Sequence, residues 1–240
     1  IRDGISQMKK SNQSLLLLKN LPTGYIPKTG NLAERIAEKS YASEHILLSI
    51  AKQVEGTLFT SEKSKHPAHI HQVAPHKGHY HEANGLGLKD FHFHVEEAYE
   101  ADPINYLVLS CLEGDTNAKT SFMFLEDILS NIPKDILRHI PFQFESGSDF
   151  SEKEILTSPI LTFDQENNTY HTRLYENEQN GNRAIQMKAT CSTGAQLLTD
   201  IQDRIANLKI AGRTLDLDLE PGDVAIINNG IGRGEIAGVM

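Results

Sequence analysis

The chain has 240 residues, a formal net charge of −9 and a sequence pI near 5.6, so it lacks the clustered Lys and Arg that nucleic acid or an anionic membrane surface requires, and a small-molecule partner fits better. Cys111 and Cys191 are too few for a disulfide scaffold, and no apolar run reaches the roughly 18 residues that span a bilayer. A single globular domain in a reducing cytoplasm, with no membrane contact, is the expectation.

In chain order, Ile1 to Gln7 reads as a remnant ahead of a start at Met8. Leu15 to Leu18 reads as a strand, broken by Pro22, Gly24, Pro27 and Gly30. Leu32 to Lys52 has helical spacing of Leu32, Ile36, Ile46, Leu47 and Ile50, with an interruption near Ser40 to Ser43. The segment 62–88 is rich in His, Pro, Lys and Gly and reads as loop around a short strand, His69 to Val73. Phe91 to Tyr99 alternates, with Phe91, Phe93 and Val95 on one side and His92, His94 and Glu96 on the other. Tyr106 to Cys111 is a strand, Ser121 to Asn131 a helix, and Pro159 to Phe163 and Tyr170 to Tyr175 short strands. Gly194 to Leu208 is an amphipathic helix. Leu215 to Leu219 and Val224 to Ile227 are strands joined by Glu220-Pro221-Gly222-Asp223. Many short strands with a few helices predict a β-sandwich or barrel with helices outside.

Nine of the 11 histidines lie from His45 to His94, a density that points to metal chemistry or to a polar loop of skewed composition. His94-Val95-Glu96 is the sharpest feature. Residues two apart on an extended segment send both side chains to one face, where an imidazole and a carboxylate can share a cation. Two His and one carboxylate on one face of an octahedron form the facial triad of non-haem Fe(II) oxygenases. A chance His-x-Glu on an exposed strand is the competing reading; His92 on the same face adds a third ligand or a partner for His94.

The wider context resembles the clavaminate synthase-like Fe(II)/2-oxoglutarate oxygenases, the taurine dioxygenase type that includes amino-acid hydroxylases. Phe93-His94-Val95-Glu96-Glu97-Ala98-Tyr99, then Pro103, Tyr106-Leu107, Leu109, Cys111-Leu112 and Asp115, is similar to their aromatic-His-x-Glu-Asp-Ala-aromatic and Tyr-hydrophobic-Leu-x-Cys-Leu segments. Leu21-Pro22, Ile26-Pro27-Lys28-Thr29 and His71-Gln72-Val73-Ala74-Pro75 resemble further elements in the same order. So do Ala118-Lys119-Thr120, and Pro221-Gly222-Asp223 with Asn228-Asn229.

The resemblance implies a mainly β chain with flanking helices, a double-stranded β-helix (jelly roll) over residues 1–240, with 62–88 as an active-site lid. It implies Fe(II) on His94 and Glu96, 2-oxoglutarate bound by Thr120, and dioxygen and an amino acid, free or carrier-bound, as co-reactants. Thr120 lies 26 residues after His94, and the bland alternative for it is a cap of the helix from Ser121. His71, Glu97, Arg173 and Tyr175 fall on the substrate side. Of Tyr175, Glu176 and Asn177, which follow Arg173-Leu174, only Glu176 is acidic, and alternation turns it away, so a lysine-like or other polar amino acid fits better than arginine. A carboxylate at Glu96 favours hydroxylation over halogenation, because halogenases of this kind leave that position vacant for chloride.

The family's distal His and 2-oxoglutarate Arg follow its Asp-Asn pair, whereas here Asn229 is followed by Gly230-Ile231-Gly232-Arg233-Gly234 and the sequence ends at Met240 with no His after His171. Three readings stand: the third His follows Met240 and the segment given lacks its C-terminal part; Arg233-Gly234 replaces the ligand; or His171 or His139 substitutes. The first is favoured because two protein ligands hold iron poorly. A catalytically inactive jelly-roll binding protein and a zinc hydrolase using His94 and Glu96 are the rivals.

Overall fold

The structure is a computed structural model that describes residues 1–11, 13–29, 32–60, 68–75, 77–78, 87–88, 92–102, 104–114, 119–146, 153–165, 169–177, 186–229 and 231–232. Most of the expected lid, 62–88, lies outside the described residues. The described elements, in order, are α1 (Arg2–Ser11), β1 (Leu15–Leu18), α2 (Leu32–Glu38), α3 (Ala42–Gln53), β2 (Tyr106–Ser110) and β3 (Thr120–Phe122). These are followed by α4 (Leu125–Leu129), α5 (Lys134–His139), β4 (Pro141–Glu145), β5 (Ile155–Pro159), β6 (Leu161–Asp164) and β7 (Thr169–Thr172). The last are β8 (Gln186–Ala189), α6 (Ser192–Ile210), β9 (Leu215–Leu217), β10 (Val224–Asn228) and β11 (Ile231–Gly232). Their antiparallel pairings form four small sheets, ordered β1-β10-β2, β11-β7-β6, β3-β9 and β5-β4-β8.

β10 is the organising strand. Its residues are apolar up to Asn228 and every one is buried, as expected of a central strand covered on both faces. Alternation divides them: Val224 and Ile226 pack with Ile5, Met8, Ile50 and Val54 of the α1–α3 layer, while Ile227 packs with Phe122 against Leu15, Leu107, Leu109 and Leu217. The largest core lies beyond, where Val95, Ala98, Leu174 and Tyr175 meet α4 and the stripe Leu197, Ile201, Ile205 and Leu208 of α6.

Several expectations are corrected. Arg2 to Gln7 form the first part of α1, whose Ile5 and Met8 are buried, so they pack into the fold. His69 to Val73 is not a strand. Of the expected strand Phe91 to Tyr99, the described part, His92 to Tyr99, is not a regular strand: His94 makes a single bridge to Tyr175, and the chain turns from Glu96 to Tyr99. Ser121 to Asn131 is not one helix; Thr120–Phe122 pairs with β9, and α4 starts only at Leu125. Pro159 to Phe163 is split at Ile160 between β5 and β6. The break at Ser40 to Ser43 stands as read, with α2 ending at Glu38 and α3 beginning at Ala42.

The turn before β10 ties its sheet together. Leu21 N–H donates to the Gly222 carbonyl at 2.8 Å, Gly222 N–H donates to Cys111 O at 3.0 Å, and Cys111 N–H donates to Asp223 O at 2.9 Å. Gly222 has φ 93°, and a Cβ there would lie 2.5 Å from Leu21 O. Gly222→Ala should therefore lose about 1–3 kcal/mol, read as a lower urea midpoint at unchanged slope. The buried Asp223 carboxylate accepts from Lys19 Nζ at 2.6 Å and from Glu220 N–H at 2.9 Å. Burial opposes its charge, but Lys19 and the backbone donor outweigh burial and lower its pKa. Stability from this group is therefore present above the ordinary Asp value of about 3.9 and lost as pH falls further, through its folded value. Asp223→Asn should flatten the acid limb of the stability-versus-pH curve.

Candidate metal centre

His94 and Glu96 come together as their spacing requires. Val95 N–H donates to Leu174 O at 2.9 Å and Glu176 N–H donates to Phe93 O at 2.7 Å, which fixes the segment beside residues 174–176. Val95, 2% exposed, turns into the core and leaves its neighbours on the opposite side. The His94 Nδ1–H donates to the His92 carbonyl at 2.7 Å, which orients the ring with Nε2 toward Glu96. Nε2 lies 3.2 Å from Glu96 Oε2. Side-chain exposures of 19% and 31% leave both groups partly open, as a ligand-accepting pair must be. Burial works against a charged His94, but Glu96 outweighs it and raises the His94 pKa. Burial likewise pushes Glu96 up, yet His94, and after it His71, bring Glu96 below the usual range.

Backbone clamps surround the pair. Asn229, 5% exposed, accepts from Glu96 N–H through Oδ1 at 2.9 Å. Its Nδ2 donates to the carbonyls of Glu96 and Ile104, both at 2.9 Å. Sequence reasoning missed this residue. The available signal was an Asn pair at the end of an apolar, fully buried strand, where polar side chains must find partners. Glu176 turns away from the pair, as alternation indicated: it accepts from Phe93 N–H at 3.1 Å and from Lys209 Nζ at 2.7 Å, with His92 Nδ1 3.6 Å away. His92 thus contributes its carbonyl to His94 and its ring to Glu176.

The other expected site residues are spread more widely. Among the described residues no group of three or more His, Cys, Asp and Glu could hold a metal ion, so neither His171 nor His139 completes the set. His171 Nε2 sits 3.6 Å from Asp164 on the neighbouring strand, and His139 Nδ1 contacts the Asp135 carbonyl in α5. His71 is exposed, and its charge reaches Glu96. Thr120 opens β3 opposite Leu217, which removes the helix-cap alternative. Glu97 has φ 52°, a left-handed conformation rare for a residue with a side chain, and its carboxyl accepts from the Tyr99 hydroxyl. Burial first, then the charges of Glu96 and Glu100, push Glu97 up to about 8.

Arg173 and Tyr175 are more enclosed than a substrate-facing role suggests. Tyr175 is fully buried, its ring edge-on to Phe144 at 5.8 Å. Arg173, 4% exposed, donates from Nη2 to the carbonyls of Glu100 and Ala101 at 3.1 and 3.0 Å and from Nη1 to Thr162 at 3.3 Å. It pins the chain that leaves the His94–Glu96 turn.

No family model matches the chain, and no curated protein matches it. Solved structures do. An asparagine oxygenase in complex with Fe(II), 2S,3S-3-hydroxyasparagine and succinate aligns with a TM-score of 0.70 and 17% identity, covering 99% of this chain and 71% of that one. The non-heme iron oxygenase OrfP with Fe, succinate and (3S)-hydroxy-L-Arg aligns equally well, at 17% identity over 99% of this chain and 73% of its own. OrfP with Fe and alpha-ketoglutaric acid gives 0.70 at 16% identity, over 95% and 70%. The chain therefore has the mixed sheet-and-helix fold of these iron oxygenases.

Lysine at position 173 would keep the charge but lose the planar fork that reaches two carbonyls. Arg173→Lys should lose about 1–3 kcal/mol in chemical denaturation. A loss within 0.5 kcal/mol, about the scatter of ordinary surface changes, would mean the clamp is unimportant.

Proposed function

We propose that the protein is an Fe(II)/2-oxoglutarate-dependent oxygenase that hydroxylates an unactivated C–H bond of an amino acid, free or carrier-bound. The observation that carries this reading is the convergence of His94 Nε2 and Glu96 Oε2 at 3.2 Å with the imidazole tautomer fixed by the His92 carbonyl. An imidazole and a carboxylate suit Fe(II), and the arrangement fits such an ion without moving either side chain to another face. Among the described residues no third His, Cys, Asp or Glu joins the pair. The four sheets are read as parts of one jelly roll.

Within this reading His94 and Glu96 hold the iron, and Thr120 donates to a carboxylate of 2-oxoglutarate. The bound metal supplies activation of dioxygen. One oxygen atom enters the substrate C–H as hydroxyl; the other, with loss of CO2, converts 2-oxoglutarate to succinate. Hydroxylated amino acids in the asparagine oxygenase and OrfP structures support an amino-acid substrate. Glu176 is already held by Lys209 and the Phe93 N–H, which removes the carboxylate a guanidinium would need there and supports a lysine-like or other polar side chain. His71 and Glu97 are assigned to the substrate side.

Anaerobic addition of Fe(II) and 2-oxoglutarate should give a weak visible charge-transfer band, and Glu96→Ala should abolish it. Zinc has no redox chemistry to supply such a band, so its absence in the unmutated protein would favour a zinc hydrolase or a binding protein without oxygenase chemistry.

A further inference from the structure

We infer that Asn229 is a positioning residue for the metal centre, one amide that sets the direction of the Glu96 carboxylate by gripping the Glu96 backbone on both sides. The inference rests on the reading of His94 and Glu96 as metal ligands. Glu96 lies in a turn rather than in a strand, so no sheet ladder fixes its peptide groups. Asn229 supplies that function from 133 residues away. Its Oδ1 takes the Glu96 N–H, and its Nδ2 takes the Glu96 carbonyl and the Ile104 carbonyl, all at 2.9 Å. Its own N–H donates to Asn105 O at 3.0 Å, directly after the β10–β2 ladder ends at the Asn228–Tyr106 pair. The orientation of the carboxylate is thereby registered to the most buried strand of the fold.

The side-chain geometry is matched to an amide. Asn provides one acceptor and two donors, and all three are used. Alanine supplies none of them, and aspartate keeps the acceptor but loses both donors. The clamp acts at Glu96 and at the residues that lead into β2, while His94 is held separately through His92 and the Tyr175 bridge. Loss of Asn229 therefore should misdirect one ligand of the pair and leave the other in place.

The test uses Mn(II) as an EPR-visible probe, titrated with 2-oxoglutarate present, together with amide hydrogen exchange on the metal-free protein. Asn229→Ala should weaken Mn(II) binding by about 10–100-fold, the range seen when groups that orient metal ligands are removed. The Glu96 amide, protected in the unmutated protein, should exchange faster in the variant. Ile5→Ala, a core truncation in the α1 layer, should lower the melting temperature yet leave the Mn(II) Kd unchanged. Asn229→Asp should weaken binding by a smaller factor, and it decides the matter if the alanine variant does not fold. Unchanged Mn(II) affinity in the folded variants would overturn the inference while leaving the metal centre intact. Failure of the unmutated protein to bind Mn(II) would instead overturn the metal reading, and this inference with it.

Discussion

A two-residue spacing serves a metal only if both side chains turn toward one point and stay there, and here that condition is met from the backbone. The His92 carbonyl fixes the His94 ring, Leu174 and Phe93 set the segment beside residues 174–176, and Asn229 holds the Glu96 peptide. Val95 anchors the middle of the motif in the core. Water-exposed pairs of long side chains gain little from meeting, because holding them costs rotamer entropy and solvent screens their charges. Prior ordering of the segment removes much of that cost, so the two side chains meet in one geometry.

The sheets explain why distant parts of the chain converge here. β10 receives β1 on one edge and β2 on the other, and the Glu220–Asp223 turn locks those strands at their far end. At the opposite end of β10 the chain meets Glu96 through Asn229. Arg173 repeats the device from another direction, tying β6 and β7 to the carbonyls of Glu100 and Ala101. Both residues donate to backbone carbonyls that have left regular structure. Buried peptide groups without partners are costly, and these side chains stand in for the missing ladder.

What could be read from the residues followed from local rules. Leu15–Leu18, Tyr106–Ser110, Val224–Asn228 and α6 have clear apolar patterns, and each formed within a residue or two of its expected limits. The direction of His94 and Glu96 was also legible, although the segment is a bridge followed by a turn rather than a strand, because Val95 still needs the core. Long-range partners were not legible. Nothing in Tyr170 to Tyr175 marks Arg173 as buried, and nothing local links Asn229 to Glu96. The helix α1 was missed because only Ile5 and Met8 of its ten residues are buried, too few to give a clear stripe. A helix cap was the competing reading of Thr120 because Ser121 begins a run with helical composition; pairing with β9 overrode that preference.

The fold shared with asparagine oxygenase and OrfP, at 16–17% identity, gives the scaffold, and the chemistry must be argued from the side chains this chain places on it. Anomalous diffraction at the iron edge from crystals grown anaerobically with Fe(II) and 2-oxoglutarate tests the centre most directly. The account requires one peak within bonding distance of both His94 Nε2 and the Glu96 carboxylate. A peak among the histidines of 66–81 instead, or none beside His94, would contradict it.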